Sequence, residues 1–269
     1  MEFKLPVRPK ISNKGTFGKV LNIAGSRNYS GAAFLSSVSA LKIGAGLVTL
    51  ATEECVIDSV SAQSPDVVYV NRNEALELLD NYTVISIGCG LGISPETRAF
   101  FEKFLNKVKN FQKSIIIDAS ALQLLAETEK IEFLNNLILT PHPAEASRLL
   151  NLAVEEIVSN SEECAKLLAQ KYNAIALIKG ANTKIATNDG RFYVNNTGST
   201  ALAKGGSGDV LTGIISGLIA QGMEPFEAVC LAVNLHGVTG ELAAKDLTEY
   251  GVLASDLINY IPLAIKTFL

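Results

Sequence analysis

Short aliphatic and β-branched runs alternate with segments of helical periodicity through the first two thirds of the chain. The runs are KVLNIAG (Lys19 to Gly25), LVTLAT (Leu47 to Thr52), TVISIG (Thr83 to Gly88), SIIIDAS (Ser114 to Ser120), NLILTPH (Asn136 to His142) and AIALIKG (Ala174 to Gly180). Several are apolar at nearly every position, as strands covered on both faces are. Strand runs separated by helical patterns predict crossover units and a parallel sheet. Ser94-Pro95 offers a capping hydroxyl before a first-turn proline and predicts a helix towards Lys107. Ser161 opens SEECAKLLAQKY with acids in its first turn. The last third changes character: NTKIAT, Asn188-Asp189-Gly190 and RFYVN predict a β-hairpin. Three helices are expected after it, over Gly208 to Gln221, Pro225 to Ala244 and Ala254 to Lys266. No repeat, linker or low-complexity tract intervenes, so all 269 residues are expected to form one α/β domain.

Composition narrows the setting. Hydrophobic residues are 48% of the chain and charged ones 19%, which supplies a core and excludes a disordered polymer. A net charge of -4 without a basic stripe argues against a nucleic-acid partner, because that affinity comes from clustered Lys and Arg. The start, MEFKLPVRPK, lacks the apolar core of a secretory signal, and Val210 to Ala220 falls far short of the roughly 20 residues of a membrane span. A cytoplasmic protein with no membrane partner is expected. Cys55, Cys89, Cys164 and Cys230 form no C-x-x-C pair, which predicts small core or surface residues rather than a zinc site or disulfide framework. His142 and His236 are the only histidines, too few for a His-based metal cluster.

Chemistry gathers in LAKGGSGDVLTG, Leu202 to Gly213. Gly205, Gly206 and Gly208 can turn several backbone N–H groups inward, and the apolar run that follows makes this turn a helix N-terminus, where unpaired donors and the dipole attract an anion. Such a loop suits phosphate. Asp209 would be repelled by phosphate unless an alcohol, a proton or a metal stood between them, which fits a base that takes the proton of an attacking hydroxyl. The alternative from the residues alone is a flexible loop whose aspartate only serves the helix N-terminus. No G-x-x-x-x-G-K-[ST] occurs, and GCGLG (Gly88 to Gly92) and GAG (Gly44 to Gly46) miss the G-x-G-x-x-G pattern, so neither a Walker loop nor a Rossmann cofactor site is expected.

GGSGDVLTGIISGLIAQG, together with LTPHPAE (Leu139 to Glu145), IKGANT (Ile178 to Thr183) and the stretch from Lys14 to Thr52, resembles the NAD(P)HX dehydratase family within the ribokinase-like superfamily. The resemblance implies a three-layer αβα fold with a mostly parallel central sheet flanked by helices. It implies nucleotide-dependent dehydration of the S epimer of hydrated NADH and NADPH, in which phosphorylation turns a poor leaving group into a good one. The implied donor is ADP, or ATP, with Mg2+ assisting. Asp209 matches the family's catalytic aspartate and contacts substrate. Lys179, Gly180, Ala181, Asn182 and Thr183, with Gly205, Gly206, Ser207 and Gly208, match nucleotide-binding positions, while Ala32, Gly90 and His142 match positions that touch the hydrated dinucleotide. Glu145 is implied to reach Mg2+ through water. Ser120 and Gln123 depart from the family's D-A-D-A-L-N segment, and Lys204 stands where threonine is frequent. Only 13 residues precede Lys14, so the epimerase domain often fused ahead of this region is expected to be a separate protein. A homotetramer is the expected assembly.

Bland readings stand beside these. His142 ends a buried strand and could be a satisfied structural group, Glu145 could be a first-turn residue favoured by the helix dipole, and Lys179 could snorkel from a strand end. Two other functions remain open from the residues: a kinase of a hydroxymethylpyrimidine or hydroxyethylthiazole, and a nucleotide-binding sensor without turnover.

Overall fold

The computed structural model describes residues 3–128 and 137–269. Among these described residues nine strands form one sheet: β1 Lys19–Ile23, β2 Leu47–Thr52, β3 Val68–Asn71, β4 Val84–Ile87, β5 Ser114–Ile117, β6 Leu137–Leu139, β7 Ala174–Ile178, β8 Lys184–Thr187 and β9 Phe192–Val194. The helices are α1 Ser30–Lys42, α2 Glu54–Ser61, α3 Ala75–Leu78, α4 Pro95–Val108, α5 Ser120–Glu127, α6 Pro143–Leu150, α7 Val154–Ser159, α8 Ser161–Tyr172, α9 Ser207–Ala220, α10 Pro225–Gly251 and α11 Ala254–Lys266. Asn136, the first residue of the run expected to form the fifth strand, lies outside the described residues.

All six expected strand runs are strands, and the strand order is β3-β2-β1-β4-β5-β6-β7-β8-β9. Pairs from β3 through β7 are parallel, whereas β7–β8 and β8–β9 are antiparallel. The hairpin turn at Asn188-Asp189-Gly190 has Gly190 at φ 89°, closed by Thr187 and Arg191. From β1 the chain moves out to β2 and β3, then returns to β4 on the opposite side of β1. That reversal opens a crevice beyond the carboxyl ends of β1 and β4, the usual ligand position in an open α/β sheet.

Successive strand residues point to opposite faces, and both faces are covered. Leu21, Ile23, Ile85, Ile87, Ile115 and Ile117 pack on Phe100, Phe101 and Phe104 of α4 and on α5, α6 and α8. Val20, Val48, Val84, Ile116 and Ile138 pack on Val210, Ile214 and Leu218 of α9 and on α10 and α11. Burial on both sides explains why these strands read as continuous apolar runs. Asn22 is the polar exception within β1. Its amide donates to Ser36 Oγ at 2.8 Å and Ser37 Oγ at 2.9 Å, and its oxygen accepts from Ser86 Oγ at 2.9 Å. A fully satisfied buried network thus ties β1 and β4 to α1, just beneath the crevice.

Two elements differ from the sequence expectation. The strand β3 was not anticipated, because it is a four-residue edge strand with a half-exposed side that leaves little apolar signal. Helix α10 continues to Gly251 rather than stopping at Ala244, and Lys245 to Tyr250 stand in solvent. Hydrophobic periodicity cannot register turns that bury nothing. Within that extension Thr248 adopts φ 66°, ψ 156°, a region a β-branched residue rarely enters. Among the described residues no helix is long and apolar enough to cross a membrane.

Helix α9 lies directly on α1. A methyl group at Gly213 would sit 2.3 Å from the Ser36 carbonyl oxygen, and one at Gly217 would sit 2.7 Å from that of Ala40. Glycine allows the two backbones to approach closely, which seats the start of α9 over the crevice. Gly213→Ala sets a helix-propensity gain of about 1 kcal/mol against an overpacking cost of roughly 1–3 kcal/mol. The obstacle is backbone and cannot rotate away, so the cost is expected to win. Urea unfolding should show a lower midpoint for Gly213→Ala than for the parent; a raised midpoint would mean that α1 and α9 separate freely.

Candidate active site

Seven parallel strands have their carboxyl ends at one edge of the sheet, and the N-terminus of α9 lies at the same edge. Gly206 caps that helix at φ 94°, ψ -17°, and a Cβ there would lie 2.6 Å from Leu35 and 2.9 Å from Ala254. Both the conformation and the space demand glycine. The Ser207 N–H is taken by Lys204 O and that of Val210 by Gly206 O. The N–H groups of Gly208 and Asp209 between them have no acceptor among the described residues. Two free donors at a helix N-terminus make an anion hook.

Asp209 occupies the third position of α9 and is mostly buried. Burial, then the nearby Asp118 charge, pushes its carboxyl up to about 6. Asp118 follows β5 and is sealed at 1% exposure. Burial alone would raise its pKa, but the Lys179 ammonium and hydrogen bonds including that from Thr212 hold it below the usual carboxylate range. Lys179 Nζ donates to Asp118 Oδ1 at 2.9 Å, and Thr212 Oγ1 donates to Asp118 Oδ2 at 2.6 Å. Cys89, in the turn after β4, places its Sγ 3.8 Å from Asp118 Oδ2. Burial first, then the charges of Asp209 and Asp118, raises its thiol well above the usual range, so it stays protonated at neutral pH. Gly88 keeps this turn tight: a methyl group on it would lie 1.8 Å from the Asp118 carbonyl oxygen. Ala119, next to Asp118, holds φ 48°, ψ -123°, a strained backbone of the kind the surroundings must enforce.

Helix α6 closes another side. The Glu145 carboxylate accepts the His142 N–H at 2.8 Å while His142 Nδ1 accepts the Ala144 N–H at 3.2 Å, a reciprocal cap. Burial raises the Glu145 pKa against the pull of Lys179, whose Nζ is 4.0 Å away. From α10, His236 Nε2 lies 3.1 Å from Ser207 Oγ, and burial brings the imidazole down to about 4, so it is neutral.

A cavity of about 710 Å³ brings together Asp118, His142, Glu145, Lys179, Asp209 and His236. Of the residues expected at a site, Gly206, Ser207, Gly208 and Asp209 line it, as do His142, Glu145, Lys179, Gly180, Ala181 and Thr183. Asn182 instead lines a smaller hollow of about 240 Å³ alongside Gly180 and Ala181. Gly205 stands in the loop but not in the cavity wall. Ala32 and Gly90 meet each other at the β1–β4 crevice, where a methyl group on Gly90 would be 2.7 Å from Ala32 Cβ, and neither lines the cavity. Sequence reasoning assigned no part to Cys89, Thr212 or His236, and gave Asp118 only its position at a strand end. Asp118 carried a readable signal there; the other three come near by packing alone.

The nine-stranded sheet, its covering helices and the glycine-rich helix start define a ribokinase-like protein. A ribokinase-like superfamily protein of Enterococcus faecalis is 30% identical with a TM-score of 0.90, covering 98% of this chain and 92% of that one. Residues 20–263 match the NAD(P)H-hydrate dehydratase family, and the chain belongs to it. The ADP-dependent (S)-NAD(P)H-hydrate dehydratase of Bacillus subtilis is 35% identical, over 98% of this chain and 95% of its own length. The crystal structure of the Bacillus subtilis ADP/ATP-dependent NAD(P)H-hydrate dehydratase, grown with ATP and Mg2+, superposes with a TM-score of 0.90 at 34% identity, over 98% of this chain and 95% of that one. The bifunctional NAD(P)H-hydrate repair enzyme of Moorella thermoacetica is 36% identical over 98% of this chain and 52% of its own length. The chain therefore spans about half the length of several curated relatives it matches.

The raised Asp209 pKa has a defined sign for stability. The unfolded carboxyl titrates near 3.8 and the folded one near 6, so the folded state holds a proton that the unfolded state releases. The advantage of the proton is complete below about 3.8 and is lost as pH rises through about 6. Asp209→Asn removes the ionisation and should exceed the parent in stability by roughly 2–3 kcal/mol at neutral pH. Thermal unfolding across that window should show the gap opening with pH; a constant gap would mean the carboxylate is not desolvated.

Proposed function

We propose that this protein restores NADH and NADPH from the S epimers of their hydrates, using ADP, with ATP as an alternative donor. The reading is supported by family membership and carried by one observation: a mostly buried carboxylate shares a helix N-terminus and a cavity with two free N–H donors and a lysine. A base poised at about 6 is matched to work near neutral pH.

In this reading the hydrated ring presents its hydroxyl to Asp209, which takes the proton as the oxygen attacks the terminal phosphorus. The O–P bond forms, the bridging P–O bond breaks, and AMP leaves. The N–H groups of Gly208 and Asp209, with the Lys179 ammonium, receive the charge of the transferred group. Inorganic phosphate then departs in place of hydroxide, the neighbouring ring carbon gives up its proton to solvent, and the ring double bond returns. Lys179, Gly180, Ala181 and Thr183 border the nucleotide, Asn182 and Gly205 its approach, and His142, Ala32 and Gly90 the dinucleotide. Ala32 and Gly90 stand at the crevice, and His142 stands in the cavity wall.

Three carboxylates, Asp118, Glu145 and Asp209, stand with two lysines, Lys179 and Lys204, in the cavity wall. Phosphates would deepen that negative charge, and the Glu145 carboxylate, unlike Asp118 with both oxygens engaged, suits a divalent, oxygen-seeking ion. Glu145 would hold Mg2+ through water, and the ion would screen the phosphates. The bifunctional names of the longer relatives support an epimerase, acting on the other hydrate epimer, as the pathway partner.

The full chain mixed with hydrated NADH, ADP and Mg2+ is expected to bring back the absorbance of reduced nicotinamide. Asp209→Asn should still bind ADP while turnover falls by roughly 10²–10⁴-fold. A stable phosphorylated alcohol as the product would identify a vitamin-precursor kinase instead, and nucleotide binding with no turnover of any alcohol would identify a sensor.

A further inference from the structure

Asp118 is an expensive residue to bury, and its surroundings do more than neutralise it. One oxygen is held by Lys179 at 2.9 Å and the other by Thr212 at 2.6 Å, so a single carboxylate links the end of β7 to the first turns of α9. Thr212 follows Asp209 by three residues, on the same side of the helix. The bond to Thr212 therefore fixes the rotation of the turn that carries Asp209. The bond to Lys179 holds that ammonium over the glycine loop, where its Nζ lies 3.3 Å from the position a methyl group would take on Gly208. An apolar side chain of similar size would be the cheaper way to fill a core position, since buried ion pairs often add little stability.

We propose, resting on the phosphoryl-transfer reading above, that Asp118 is a positioning residue: it aims Lys179 at the phosphoryl group and fixes the orientation of Asp209. The groups facing Asp209 are Cys89 from the turn after β4, Asp118 after β5, Glu145 of α6 and Lys179 after β7. His236 of α10 is bound to Ser207 and neutral. After burial, the Asp118 charge is the main influence that raises the Asp209 carboxyl. Removing that charge also frees Lys179, and both changes act in one direction, towards a weaker base that ionises at lower pH.

The test compares the full-length parent with Asp118→Asn, Thr212→Val and Thr212→Ser. It measures kcat and KM for ADP from about pH 5 to about pH 9, and ADP binding by calorimetry. Asp118→Asn is expected to lower kcat by at least about tenfold, raise KM and Kd for ADP by about fivefold, and move the acid limb down by about one pH unit. Thr212→Val should lower kcat by about fivefold with KM within about twofold of the parent, because Lys179 stays held, and Thr212→Ser should recover most of the loss. A folded Asp118→Asn with an unmoved acid limb and unchanged ADP constants overturns the proposal, even if kcat drops, because that is what a purely structural role yields. Should Asp118→Asn fail to fold, Thr212→Val decides, and parental kcat there overturns the proposal. An inactive parent whose ADP affinity still weakens in Asp118→Asn removes the dehydratase reading while supporting the aiming of Lys179. An active parent with unaltered variants removes the positioning role alone.

Discussion

One buried carboxylate joins the sheet to the helix layer: Asp118 holds Lys179, at the end of β7, at 2.9 Å on one oxygen and Thr212 of α9 on the other. Two charges taken from water are costly, and breaking a buried pair by removing one member leaves the other stranded. Once this contact forms, the ends of β5 and β7 and the first turns of α9 have one relative position. The free N–H groups of the glycine loop inherit their direction from it.

Around that anchor several of the fold's backbone irregularities gather. Positive φ at Gly206, Gly88 and Ala119 occurs where strands stop and α9 starts, whereas the body of the sheet is regular and apolar on both faces. Close backbone approach at Gly213 and Gly217 brings α9 down onto α1, and the Asn22 network holds α1 to β1 and β4. The outcome is a pocket that gathers charged groups among apolar walls, in which desolvation can lift Asp209 to about 6 and keep His236 neutral. Preorganised dipoles of this kind need little rearrangement when charge develops.

Much of this was readable from the chain. The six apolar runs were long and two-face buried, so their strand character survived any detail of packing, and the Asn188-Asp189-Gly190 turn marked the hairpin. The loop from Gly205 to Asp209 was visible because glycine clustering beside a helical apolar run has few other causes. The edge strand β3 and the solvent-exposed turns of α10 were not visible, since neither buries enough surface to leave a periodic pattern. Cys89 gave no sign of its place: as a sequence position it is a small apolar residue, and only the β4–β5 pairing sets its sulfur 3.8 Å from Asp118.

The sequence by itself determined the layering, the glycine-rich helix start and the family, because local periodicity and contiguous motifs encode them within a few tens of residues. Tertiary structure alone decided which charges face one another: Asp118 and Lys179 are 61 residues apart, and Thr212 is 94 residues from Asp118. Electrostatic coupling depends on distance and burial. Both quantities exist only after the chain has folded, so the tuning of Asp209 had no trace in the order of residues.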